Sequence, residues 1–231
     1  MQPNSIKASM AGWISAIMQD VQTKTENDST GHDYFHALRV MKLSQNLAVD
    51  LGIEPYTAMV AGLLHDYFRE EEKSHGILHF GPEAIELLRK AFYPKVVPFL
   101  GEDAFEAILD AISVHEMYGV QQDNMPLKLN AQILQDADRL DALGAVGIAR
   151  AFMFGGAHGL PMQESHFDRN YVFNSNMKPC GSVHRHFYEK LLRLPDQMNT
   201  LSGKKLALER HAFLKAYLVQ FEQELEDYSF G

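Results

Sequence analysis

The stretch "AMVAGLLHD" (residues 58–66) decides how this chain is read. Seven residues pass without one polar side chain, and then an imidazole and a carboxylate stand side by side. A helix with no polar face is buried all round. A buried histidine and aspartate at its end need partners, because an unpaired buried charge is costly. A metal ion is one such partner and suits a mixture of neutral imidazole and anionic oxygen. The plainer alternative is a hydrogen-bonded core histidine with an aspartate closing a helix. The tetrapeptide HDYF that ends this run (residues 65–68) also occurs in "STGHDYFHALRV" (residues 29–40), but the flanks do not match, so it is not a structural repeat. The first copy follows Gly31, where Asp33 reads as an N-cap, and His36 comes three residues after that cap.

Outward from this run the sequence reads as helix almost everywhere. Met10, Trp13, Ile14, Ile17, Met18 and Val21 carry a three-and-four spacing between Ile6 and about Lys24. Ala37, Leu38, Val40, Met41, Leu43 and Leu47 carry a second helix up to Gly52, and Pro55 opens the buried one. Pro82 opens "PEAIELLRKAF", which Pro94 is expected to end. "DAFEAILDAISVHEMYG" and "LKLNAQILQDADRLDALGAVGIARAFMF" read as further helices. Gly155–Gly181 lacks periodicity and reads as a long loop. Two amphipathic helices, about Ser182–Arg193 and Lys204–Tyr228, close the chain. No stretch reads as a strand. The expectation is an all-α fold in one domain: a core over about 30–155, a loop over 156–181 and C-terminal helices over 182–231.

Composition narrows the function. The 231 residues carry a formal charge of −9, with 46% hydrophobic and 22% charged residues. That balance is ordinary for a globular protein, and it argues against a nucleic-acid backbone or an anionic membrane as the main partner. No window reaches the about 18 consecutive apolar residues of a membrane span, and the N-terminus lacks the form of a secretory signal. A cytoplasmic protein is expected. The single cysteine, Cys180, excludes an internal disulfide, and no spacing singles it out as a nucleophile.

A third acidic feature lies downstream. "LQDADRLDALG" (residues 134–144) places Asp136, Asp138 and Asp141 on and beside a face formed by Ile133, Leu134, Ala137, Leu140 and Gly144. Three carboxylates so close repel one another unless a cation or basic neighbours such as Arg139 and Arg150 compensate them. An acidic surface stripe is the bland alternative.

The ordered set of His, then His-Asp, then Asp on a helical background resembles the HD superfamily of metal-dependent phosphohydrolases. "DYFHALRV", "AGLLHD" and "ILQDADRLDALGA" carry the likeness. With "HFYEKLLRLPDQMNTLSGKKLALER" they resemble a subgroup of small bacterial HD proteins called YedJ-like. The resemblance implies a compact helical HD-domain bundle with metal ligands at His36, His65, Asp66 and Asp138. The "DAD" run leaves Asp136 as the alternative, because helical geometry alone does not separate the two. His79 and His115 fall where binuclear relatives place extra ligands, with His75 a nearby competitor to His79. Some relatives use an acidic residue three positions after the doublet aspartate as general acid/base. Here that position holds Arg69, with Glu70 next.

The resemblance also implies a reaction: hydrolysis of a phosphate ester or anhydride, of a nucleotide. Arg69 and Glu70 would take catalytic roles, and Lys73, Arg139, Arg169 and Lys178 would steer a small phosphorylated substrate. The mixed donors favour Mn, Fe, Co or Ni, with Mg or Zn as further candidates. The loop with His158, His166, Arg169 and Lys178 is expected to close over substrate. Two other readings are a di-iron oxygenase-like HD protein, which needs the second ion, and a non-catalytic metal-binding regulatory module.

Overall fold

The computed structural model describes residues 3–116, 127–170 and 181–226, with the backbone alone for residues 3–11. Among the described residues every regular element is helical, as the patterning requires. The chain divides into two compact units, Met1–Asp138 and Arg139–Gly231.

The first unit is built around the apolar run. Helices α1 (Pro3–Lys24), α2 (Tyr34–Asp50) and α3 (Tyr56–Leu64) are followed by a short α4 (Arg69–His75), then α5 (Pro82–Leu100), α6 (Glu102–Val114) and α7 (Leu129–Asp141), whose last three residues belong to the second unit. Every residue of α3 from Ala58 to Leu64 is buried, against α1, α2 and α6. Helix α2 approaches it closely because Gly62 has no side chain: a Cβ there would lie 2.9 Å from Ser44 Oγ and 3.0 Å from the Met41 backbone. Asp33 begins α2 as expected, in extended conformation, and its side chain accepts from the His36 amide at 2.8 Å.

Pro94 does not end α5; the helix runs through Pro94 and Pro98 to Leu100. An interior proline costs about 3 kcal/mol through a lost hydrogen bond and a ring clash. Tertiary contacts offset that here. Phe92 and Val96 are buried, Phe99 stacks on Trp13 at 5.0 Å between ring centroids, and the Trp13 indole donates to the Lys95 carbonyl.

The second unit contains α8 (Gly144–Ala157), α9 (Val183–Glu189), a 3-10 helix (Leu191–Gln197) and α10 (Leu201–Glu226). The stretch read as one helix over 127–154 breaks between α7 and α8, where Gly144 takes a positive φ of 69°. The helix read over Ser182–Arg193 stops at Glu189 and continues as the 3-10 turn containing Pro195. Phe152, Phe187, Tyr217 and Phe221 form an aromatic core. The segment after α8 is tied at its base, since Pro161 and Met162 carbonyls accept from the Val183 and His184 amides at 3.0 Å each. Among the described residues no single helix is long and apolar enough to cross a membrane.

Candidate metal centre

Helix ends deliver the donors. His65 caps the C-terminus of α3 and His115 that of α6, and both are fixed in the same way. His65 Nδ1 donates to the Gly62 carbonyl at 2.9 Å, and His115 Nδ1 to the Ile112 carbonyl at 2.7 Å. Each bond reaches back three residues, sets the tautomer and turns Nε2 inward as a lone-pair donor. Two helix C-termini, the negative ends of their dipoles, thus converge on one place, which favours a cation there. The imidazoles of His32, His36, His65, His115 and His79 follow one another edge to face, with successive ring centroids 5.0 to 5.6 Å apart.

Two donor sets meet at Asp66. In the first, His36 Nε2 lies 3.1 Å from His65 Nε2, 3.4 Å from Asp66 Oδ2 and 3.6 Å from Asp138 Oδ1. His65 Nε2 lies 3.4 Å from Asp66 Oδ2 and 3.9 Å from Asp138 Oδ1. Metal–ligand bonds of about 2.1 Å put neighbouring donors roughly 3 Å apart, so the spacing suits one ion. In the second, Asp66 Oδ1 lies 3.2 Å from His79 Nε2 and 3.9 Å from His115 Nε2, while Glu116 Oε1 lies 3.6 Å from His79 Nε2. Asp66 therefore offers one oxygen to each set. Asp138, and not Asp136, joins the histidine pair.

The protonation states fit ligation in the first set. Burial pushes His65 down to about 4 against the opposing pull of Asp66, so its Nε2 is free of a proton at neutral pH. Burial disfavours the charged Asp66, but His65 and Arg69 outweigh it and hold the carboxyl well below its usual range. In the second set burial lowers His115. Burial also works to lower His79, yet hydrogen bonds to Asp66 and Glu72 raise it to about 9. His115 Nε2 is buried with no hydrogen-bond partner among the described residues.

The remaining candidates fall in different places. Arg69 reaches the second set, and Glu70 is exposed, 3.7 Å from Lys73. Lys73 bonds Asp28 at 2.8 Å, and Asp28 also holds the Thr30 and His32 amides. His75 is exposed and bonded to Ser74. Arg139 is buried and donates to the Gln197 carbonyl at 2.5 Å. Arg169 pairs with Glu222 at 3.1 Å and lies over the Tyr188 ring. Lys178 and Cys180 lie outside the described residues. Asp136 and Asp141 are buried, and Asp141 pairs with Arg150 at 3.1 Å, which removes the surface-stripe reading. Sequence reasoning missed Glu116, whose only signal is its place beside His115. It also passed over Lys24, which lines a cleft with His32, Asp66, Arg69 and Glu70.

The HD-domain family profile matches residues 33–143, a span that begins at the Asp33 cap and ends just past α7. The chain is 32% identical over 219 residues to YpgQ of Bacillus subtilis, an uncharacterised protein, with 92% of this chain and 90% of YpgQ covered. Among solved structures, a Lactobacillus plantarum protein matches at TM-score 0.72 and 28% identity, covering 94% of this chain and 98% of that one. YpgQ in complex with ADP matches at TM-score 0.62 and 32% identity, covering 91% and 96%. An HD-superfamily hydrolase of Bacillus thuringiensis matches at TM-score 0.65 and 29% identity, covering 96% and 98%. With its His, His-Asp and Asp donors gathered on helices inside the matched span, the chain belongs to the HD-domain family.

Proposed function

We propose that this protein is a metal-dependent phosphohydrolase that cleaves a phosphate ester or anhydride of a nucleotide. The observation that carries the reading is the convergence of His36, His65, Asp66 and Asp138, whose shared member Asp66 also lines the cleft holding Lys24, His32 and Arg69. These four residues would hold the ion, with Mn, Fe, Co or Ni preferred for mixed nitrogen and oxygen donors. Such an ion polarises a phosphoryl oxygen and acidifies water. The protein's own part is to hold the ion beside the cleft that Asp66 lines and to neutralise the charge of the oxygen that meets it. Arg69 and Lys24 bring positive charge to the cleft, and Glu70, an exposed member of its lining, would exchange a proton with solvent. The nucleotide class is supported by the ADP complex of YpgQ, and hydrolysis by the HD-superfamily hydrolase of Bacillus thuringiensis.

The test is release of phosphate from a panel of nucleoside mono-, di- and triphosphates by purified protein with Mn, Co or Ni, alongside His65→Ala. Activity that disappears in the variant is expected. A metal-loaded protein that cleaves none of the panel would count against the proposal.

A further inference from the structure

Arg69 stands where a second ion would stand. Its Nη1 lies 3.1 Å from Asp66 Oδ1, 3.0 Å from His79 Nε2 and 2.8 Å from Glu116 Oε1. These are three of the four donors of the second set. The guanidinium is permanently charged, and Nη1 carries two hydrogens, one for the Asp66 and one for the Glu116 carboxylate. A divalent ion bonded to the same three atoms would lie against this positive charge inside a poorly solvated site, where repulsion is weakly screened. The fourth donor, His115 Nε2, is not within hydrogen-bond reach of Arg69 Nη1, and it is left without a hydrogen-bond partner among the described residues. This is the arrangement of a four-donor metal set in which a side chain has replaced the ion.

We propose that Arg69 is the resident cation of the Asp66, His79, His115 and Glu116 set and holds the protein to one divalent ion per chain. The site in question is the one of the proposed hydrolysis, and the inference rests on that reading only for the first ion. Arg69 also lines the cleft. A substrate phosphate would therefore meet one metal ion and one guanidinium where a binuclear enzyme offers two ions. The same occupancy disfavours two-iron oxygen chemistry, which needs the second set filled by metal.

Binding of Mn(II) to the purified full chain decides the matter, measured as ions per chain by elemental analysis and as spin coupling by electron paramagnetic resonance. Wild type is expected to hold one ion with an uncoupled spectrum. Arg69→Ala and Arg69→Met, the second keeping the apolar stem, are expected to hold two ions, coupled as in pairs about 3.5–4 Å apart. Two coupled ions in wild type overturn the proposal. So does a count that stays at one in folded variants, and in that case the hydrolase reading survives. If wild type holds none and the variants gain one, the first-set reading and the one-ion count fall, while Arg69 as the occupant of the second set stands. If neither variant folds, Arg69→Gln takes their place in the same count and spectrum.

Discussion

The carboxylate of Asp33 and the backbone amide of His36 are joined at 2.8 Å, so the residue that starts α2 also sets the position of the first histidine donor. Asp33→Ala is expected to cost about 1 kcal/mol of stability through the lost cap and to weaken Mn(II) binding. Thermal melts and calorimetric titration would check the two effects. Metal affinity equal to wild type in a destabilised variant would show that the cap does not govern the site. His32→Ala should leave the metal content intact, because His32 belongs to neither donor set.

Asp138→Asn should lower affinity for the first ion by more than tenfold, since it removes an anionic donor. Asp136→Asn should leave that affinity close to wild type, because Asp136 stands outside the donor set. Elemental analysis after dialysis against a weak chelator separates the two. The reverse order would move the ligand to Asp136.

Gly62→Ala should destabilise the protein by about 1–3 kcal/mol through overpacking. The new methyl would meet backbone atoms of Met41 at 3.0 Å, which cannot rotate away, as well as Ser44 Oγ. Ser44→Ala in the same chain should recover only part of the loss. Chemical denaturation gives both numbers, and full recovery would show that the hydroxyl alone sets the spacing of α2 and α3.

The metal-free protein should lose stability on the acid side. The His65 pKa falls from 6.5 unfolded to about 4 folded, so between those values the unfolded chain binds the extra proton. The contribution is whole above pH 6.5 and is lost as pH falls through about 4. His79 runs the other way, raised from 6.5 to about 9; its contribution is whole below pH 6.5 and is lost as pH rises through about 9. Urea midpoints of chelated protein across this range should therefore drop at both ends. In His65→Gln the acid drop should shrink; an unchanged acid limb would mean that other groups cause it.

Much of the fold and the centre was legible from the chain. The apolar run over 58–64 announced a buried helix, and the doublet after it announced polar groups that need partners. Asp33 announced its cap because cap chemistry is local. The hidden part depends on distant contacts. Pro94 reads as a stop until Trp13, some eighty positions earlier, is found against the same helix. Asp136 and Asp138 both flank the apolar face of α7, and only the His36–His65 pair distinguishes them. Glu116 has no motif of its own; Arg69 and His79 give it meaning. Arg69 itself was visible as a departure from the acidic residue some relatives carry, but its three partners come from segments that sequence does not bring together.

Burial along α3 has a consequence for the order in which the molecule opens. Amides from Ala58 to Leu64 have no solvent-facing side of the helix, so they should exchange with deuterium only through global unfolding, among the slowest in the chain. His65 and Asp66 hang from the end of that segment. His79 sits in the short connection between α4 and α5, outside any helix, where exchange through local opening is expected. Fluctuations that expose the amides around His79 should therefore leave the His65–Asp66 end of the centre assembled, and exchange mapped by mass spectrometry would show the two sides of Asp66 as kinetically separate regions.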